Sequence, residues 1–155
     1  MFQIDALSAD TFAPFYGLSD DDLKARGVLP QIADRAPGFP CRVTLRDAQP
    51  GERVLLLNHV HQPADTPFRA SHAVYVIDGA EAAVLAPGEL PPVFQQGRIL
   101  SVRAFGNDGM IRAADLCGSD DCRELFNALL GRDDVDYLQI HYAKYGCYAA
   151  RAVRF

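Results

Sequence analysis

Near the C-terminus, the segment QIHYAKYGCY carries an imidazole and a thiol six positions apart, at His141 and Cys147. An imidazole beside a thiol can remove its proton, and the thiolate that results is a nucleophile and a metal ligand. Arg151 follows four residues later, where a guanidinium could stabilise a thiolate or hold an anion. Together these residue types suit acyl transfer, redox exchange or alkyl transfer.

The turn between two predicted strands decides whether these side chains meet. A three-residue loop over 144–146 would end in a left-handed residue, and Gly146 stands where that residue falls. Side chains alternate along a strand, so this loop predicts that His141, Cys147 and Arg151 share one face. A loop with an even number of residues would place His141 and Cys147 on opposite faces.

A second candidate is the H-x-H pair of His59 and His61, whose spacing on one strand face can hold a metal ion. The sequence does not identify the further ligands that a complete site needs. His141 or Cys147 could contribute if the strands are neighbours. Exposed or hydrogen-bonded histidines at the end of a strand are the alternative, and His72 opens a strand with no evident partner.

The other cysteines favour structural roles. Cys117 and Cys122 resemble a loose metal clip, but Cys122 lies on an apolar helical stripe and is expected in the core, with Cys117 in the loop before the helix. Cys41 alternates with Val43 and Leu45, which predicts packing on the apolar face of a strand.

Composition limits the class of protein. The chain has 155 residues, 49% of them hydrophobic and 23% charged, which is typical of one globular domain. The formal net charge of -5 disfavours a nucleic-acid surface, and no apolar run approaches the roughly 18 residues of a membrane span. The N-terminal segment MFQIDALSAD lacks the basic and apolar regions of an export signal. A cytoplasmic location, with four reduced thiols and no disulfide, is therefore expected.

The periodicity predicts a single α+β domain over 1–155, with a mainly antiparallel sheet and a few short helices. One clear amphipathic helix is expected at about 120–130, capped by the hydroxyl of Ser119 and ended by Gly131. Residues 1–40 read as a lead-in of short helices and loops packed on the sheet, with one helix starting at Ser19. The predicted strands are residues 41–45, 53–61, 72–77, 98–105, 110–114, 136–143 and 147–154.

Several short motifs resemble an uncharacterised bacterial family, domain of unknown function number 1203. The resemblance spans most of the chain from about Phe39 and departs from the family pattern at residues 72–75. It implies a bacterial cytosolic origin, and it draws attention to Cys41, His141 and Cys147, which lie in matching motifs. The motifs are Phe39-Pro40-Cys41-Arg42, Gln49-Pro50-Gly51-Glu52, Arg103-Ala104-Phe105 with Asp108-Gly109, and Gly146-Cys147-Tyr148 with Arg151 and Arg154.

Three functional hypotheses follow from these residues. The leading one is a protein that binds a small molecule, which could be anionic, in a pocket near His141, Cys147 and Arg151, with Cys41 and His59 as further ligand-binding residues. The second is a thiol-dependent enzyme with Cys147 as nucleophile and His141 as base. In the third, His59 and His61 bind a metal ion. The sequence leaves the cofactor and the oligomeric state open.

Overall fold

The computed structural model describes residues 1–95 and 97–155 and confirms the α+β fold, with mostly antiparallel strands. The strands are β1 (Phe2–Asp5), β2 (Leu29–Ile32), β3 (Arg53–Gln62), β4 (Ala70–Ile77), β5 (Leu100–Phe105), β6 (Ile111–Cys117), β7 (Tyr137–Tyr142) and β8 (Tyr148–Arg154). The helices are α1 (Asp20–Ala25) and α2 (Cys122–Leu130), and short 3-10 turns lie at Ala9–Thr11, Ala13–Phe15 and Pro92–Phe94.

The strands form two sheets. The larger has five strands in the order β1-β8-β7-β5-β6, and the smaller has three in the order β2-β3-β4. Every strand pair in both sheets is antiparallel. Each sheet has its own hydrophobic core.

Helix α2 covers one face of the five-stranded sheet, because its apolar residues recur at helical spacing. The other face of that sheet is free of α2 and receives the end of the β3–β4 hairpin. The buried core between α2 and the sheet contains Val102, Ala104, Leu138, Ile140, Ala150 and Ala152 from the strands and Cys122, Phe126, Leu129 and Leu130 from the helix.

Three local predictions are wrong. Ser119 does not cap α2: the N-cap residue is Asp121, which makes no side-chain cap bond, and the Ser119 hydroxyl contacts the Asp120 carboxylate at 3.4 Å. Residues 41–45 form a tight turn in place of a strand, because Leu45 adopts a left-handed φ of 53°. The lead-in over 1–40 contains β1 and β2 as well as helices, since each is paired to a strand distant in sequence.

The two sheets are in contact where β3 extends beyond the hydrophobic core of the three-stranded sheet. Ten residues long, β3 carries an apolar first half and ends in the polar residues His61 and Gln62. The Gln62 amide donates a hydrogen bond to the Tyr137 hydroxyl on β7 at 2.7 Å. This end of β3 therefore lies against the face of the larger sheet that α2 leaves uncovered.

Within residues 1–95 and 97–155, no helix is long and apolar enough to cross a membrane.

The loop after β3 also contacts the turn between β5 and β6. Gly109 has a left-handed φ of 75°, and the Thr66 hydroxyl donates to its carbonyl at 3.3 Å. A Cβ added at Gly109 would overlap the Cβ of Ala64. Gly146 has the same φ of 75° but open space around it.

We therefore expect Gly109→Ala to destabilise the protein more than Gly146→Ala. Both changes carry the left-handed strain of about 1–2 kcal/mol that a Cβ creates, while the collision with Ala64 is added at Gly109 alone. Urea unfolding of the two variants measures the difference. Equal losses of unfolding free energy in the two variants would show that Ala64 does not pack closely against Gly109.

Candidate functional site

Three histidines from three strands meet where the sheets touch. His61 lies on β3, His72 on β4 and His141 on β7, and each offers one ring nitrogen within 4.8 Å of the other two. His141 is fully buried, and the other two are partly exposed. Imidazole nitrogen is a preferred ligand of zinc and of neighbouring transition metals.

A β-bulge turns His61 towards this cluster. On β3, Val60 pairs with Ser71 and Gln62 pairs with Ala70, so His61 is an extra residue with no partner of its own on β4. A bulge bends the strand and changes the direction of its side chains, and bulges are frequent next to functional sites. His61 consequently points to the larger sheet, where its ring lies nearly parallel to that of Tyr148 at 4.9 Å.

A second bulge, on β8, places Tyr148 in that position. Ile140 pairs with Ala150 and His141 pairs with Tyr148, which leaves Ala149 as the extra residue. Simple alternation from the predicted loop would have put Ala149 opposite His141. The bulge instead brings an aromatic ring to the face of the sheet that carries the imidazoles.

The β7–β8 turn has four residues, and the predicted three-residue loop is wrong. Gly146 donates to the Tyr142 carbonyl at 2.7 Å, and Tyr142 donates to the Cys147 carbonyl at 2.9 Å, so the loop is 143–146. The left-handed φ predicted for Gly146 is confirmed. Because the loop is even-numbered, Cys147 lies with Tyr142 on the core face, and His141 lies on the opposite face.

The thiol of Cys147 is accordingly not paired with His141. Its Sγ accepts a hydrogen bond from the Arg42 guanidinium at 3.2 Å, and the side chain packs against the core of the larger sheet. Arg42 is 2% exposed and also donates to the Tyr148 carbonyl at 2.8 Å. The structure thus gives Cys147 a cationic neighbour and no adjacent base in His141.

Gln139 orients His61. Its amide NH2 donates to the His61 carbonyl at 3.0 Å, so its amide oxygen faces the His61 ring and lies 2.7 Å from Nδ1. An amide oxygen only accepts, so Nδ1 carries the proton and Nε2 presents a lone pair. That Nε2 lies 2.7 Å from Nδ1 of His72. Partners that hold the outer nitrogen of an imidazole in this way are typical of metal-binding histidines.

The same reasoning assigns the tautomer of His141. Its Nδ1 lies 3.0 Å from the Gly146 carbonyl, which can only accept, so Nδ1 is protonated. Its Nε2 is buried and finds no hydrogen-bond partner among residues 1–95 and 97–155. A buried acceptor without a partner costs about 1–3 kcal/mol. The His141 ring lies nearly perpendicular to the rings of His61 and His72, with its centroid 5.0 and 5.4 Å from theirs.

The three imidazoles are held neutral. Burial lowers the pKa of His141 to about 3 and that of His61 to about 4, with smaller contributions from neighbouring imidazoles and Arg103. Burial also lowers the pKa of His72, again with help from Arg103. Neutral imidazole is the form that binds a metal ion, so protons do not compete for these nitrogens at neutral pH.

The other predicted ligand-binding residues are not members of the cluster. His59 faces His72 across the strands, but its ring packs on Phe12 at 5.6 Å. Cys41 is buried, and its sulfur accepts from the backbone of Ile77 at 3.3 Å, which is a structural role. Arg151 shares the sheet face of His141 and stacks over the Tyr137 ring at 4.5 Å.

The predicted cysteine positions also need one correction. Cys122 is in the core as expected, but Cys117 is the buried last residue of β6, and its sulfur lies 2.7 Å from that of Cys122. Both are free thiols in the structure. The contact arises because β6 leads directly into α2.

The pocket expected near His141, Cys147 and Arg151 is not among the described cavities. One cavity of about 360 Å³ is lined in part by Met1, and one of about 500 Å³ is lined in part by Arg123. Both lie beside α2, on the side of the large sheet away from the imidazoles.

Sequence reasoning missed His72 and Gln139. His72 appeared to have no partner, because β3 and β4 had not been paired. The strand register places His72 opposite His59, and the next pair, Val60 and Ser71, borders the bulge at His61. Gln139 lies in the alternating pattern of β7, two residues before His141, and this was the one available signal that it shares the face of the imidazole.

The family described as "Protein of unknown function (DUF1203)" matches residues 38–154. No curated protein and no solved structure matches the chain.

The neutral imidazoles predict a pH dependence of stability. Free histidine titrates near 6.5, so the unfolded chain takes up protons below that pH while His141 and His61 in the fold do not. Unfolding free energy should be fully present above about pH 6.5 and fall as the pH drops towards 4. His141, being fully buried, contributes a slope of up to about 1.4 kcal/mol per pH unit.

Urea unfolding of metal-free protein between neutral and mildly acidic pH measures this slope. A His141→Gln variant removes one titrating group and should show a shallower decline, which separates the imidazole from carboxylates that titrate at lower pH. Parallel curves for the variant and the parent would contradict the buried neutral state of His141.

Proposed function

The chain belongs to the DUF1203 family, to which no activity is attached, and we propose from its own geometry that it binds a divalent transition-metal ion through His61, His72 and His141. The observation that carries the proposal is the buried Nε2 of His141, which has no partner among the described residues. A metal ion would satisfy that lone pair together with the two neighbouring imidazoles.

The chemistry of the ligands favours zinc or cobalt over magnesium or calcium. Three imidazole nitrogens suit zinc, whereas magnesium and calcium prefer oxygen. Nitrogens on one tetrahedral zinc ion, each roughly 2.0–2.1 Å from it, would be about 3.4 Å apart. The ring nitrogens in the structure lie within 4.8 Å of one another, so small side-chain rotations would bring them to that spacing.

Binding would replace the contact between His61 and His72. In the structure, His61 Nε2 is an acceptor, so the proton between the two rings sits on Nδ1 of His72. A metal ion bound at His61 Nε2 would displace this hydrogen bond, and His72 could bind the ion through Nδ1 once the proton on that atom had moved to Nε2 or to solvent. Three protein ligands leave a fourth position open, as in catalytic zinc sites, where a bound water becomes a stronger acid.

Titration of chelator-treated protein with Zn²⁺, followed by calorimetry, tests this proposal. We expect one metal ion per chain. Loss of one ligand in His72→Ala or His141→Gln should weaken binding by at least about 100-fold, since loss of an outer partner alone typically costs 10–100-fold. His59→Ala is the matched control, because this imidazole neighbours the cluster on β3 but packs on Phe12.

Two outcomes would contradict the proposal. One is the absence of saturable Zn²⁺ binding by the folded parent protein, and the other is an equal loss of Zn²⁺ affinity in His59→Ala and His72→Ala. His72 is partly exposed, so its variant is expected to fold even if His141→Gln does not.

We also propose that the protein is bacterial and acts in the cytoplasm with its thiols reduced. The family resemblance and the four free cysteines support this. Alkylation of unreduced protein isolated from cells should label four thiols when mass is measured. The contact between Cys117 and Cys122 makes them the informative pair, and their joint escape from labelling would contradict a reducing compartment.

A further inference from the structure

The surroundings of the three imidazoles are positively charged and contain an arginine that nothing described in the chain neutralises. Arg103 lies on β5, directly opposite Gln139, the residue that orients His61. Ser101, two residues earlier on the same face, lies opposite His141. The guanidinium of Arg103 therefore stands on the imidazole side of the sheet, in the row next to His141.

Arg103 is only partly exposed, and its five N–H donors make no hydrogen bond with residues 1–95 or 97–155. Burial lowers the pKa of this guanidinium, with no carboxylate acting in the opposite direction. Some surface arginines are paired, as Arg112 is with Asp108 and Arg132 with Asp134. Arg103 differs from the fully exposed arginines in being partly buried on the face that carries the imidazoles. The Arg103 nitrogens remain accessible to water, and an anion would replace their hydrogen bonds to water with stronger, charge-assisted ones.

The ionisable groups that act electrostatically on the three imidazoles also indicate a positively charged environment. The ionisable groups that lower the pKa values of His61, His72 and His141 are other imidazoles and the guanidiniums of Arg103 and Arg42. Further along the row, Arg151 on β8 lies opposite Gln139, and Asp5 on β1 lies opposite Arg151 in the strand register. Among the described residues, no carboxylate acts on the three imidazoles themselves.

Charge balance then determines the class of ligand. Three neutral imidazoles leave a bound divalent ion with its full double positive charge, and Arg103 adds another. This much positive charge in a half-buried site favours the binding of a negatively charged ligand from outside the protein. We propose, on the basis of the metal site above, that the open coordination position and Arg103 together bind a small oxyanion, a carboxylate or a phosphate.

In this arrangement one oxygen of the anion occupies the fourth position on the metal, and another accepts from the Arg103 guanidinium. Guanidinium geometry matches a carboxylate or phosphate, because two N–H groups can donate to two oxygens.

Cobalt-substituted protein tests this inference, because the visible absorption of Co²⁺ responds to its ligands. Acetate and inorganic phosphate are titrated separately into the Co²⁺ protein, and each saturable spectral change gives an affinity. The stronger of the two identifies a carboxylate or a phosphate as the preferred group. Arg103→Gln should weaken anion binding at least tenfold while leaving Co²⁺ affinity in anion-free buffer unchanged or higher.

Arg112→Gln is the matched control, since it removes an arginine from the neighbouring strand β6 that is already paired with Asp108. It should leave anion affinity unchanged. If Co²⁺ binds but its spectrum ignores both anions, or if both arginine variants behave alike, the inference is overturned while the metal site stands. If Co²⁺ itself does not bind, the metal site and this inference fail together.

Discussion

Among the contacts that join the two sheets, the one made by the Gln139 amide holds His61, and the site depends on it. Gln139 is almost fully buried on β7, and it donates to the backbone of His61 while accepting from the ring of the same residue. These two hydrogen bonds hold the end of the β3–β4 hairpin against the larger sheet. They also decide which nitrogen of His61 carries a proton, because an amide held by its NH2 group can present only its oxygen to the ring. Position and chemistry are therefore set by one side chain.

The electrostatics of the cluster follow from burial. Imidazoles removed from water lose the solvation that would stabilise their charged form, and each neighbouring imidazole or guanidinium adds to the cost of a proton. The result is a set of neutral nitrogens, one of them without a partner, next to the positive charge of Arg103. A set of neutral imidazoles beside a fixed cation differs from a structural zinc site, where thiolates usually supply negative charge. If the proposed metal ion binds there, this arrangement would favour a negative ligand on it.

The backbone separates two sets of reactive residues that the sequence places side by side. Because the β7–β8 turn has four residues and β8 contains a bulge, His141 and Tyr148 face the hairpin, whereas Tyr142 and Cys147 face the core. On the core side, the buried Arg42 contacts the Cys147 sulfur, and both Arg42 and Arg98 lie over the Tyr142 ring. Each face of the sheet end thus has its own electrostatic surroundings.

The pattern of residues determined the class of fold, because period-two alternation and one helical stripe depend on local sequence alone. It also predicted the left-handed Gly146, because the need for a residue without a Cβ is a local steric property. Hairpin loop length was not determined, since three- and four-residue turns with glycine at their end have similar local energies and are selected by strand pairing. The sequence marked His61 and His141 as candidate functional residues, but it did not show that they lie next to His72. The bulge on β3 and the contact between the sheets bring these three imidazoles together, and the bulge on β8 places Tyr148 beside them. Such features arise from pairing between residues distant in the chain, where the gain in packing and hydrogen bonding outweighs local preference, and for that reason only the tertiary structure decided them.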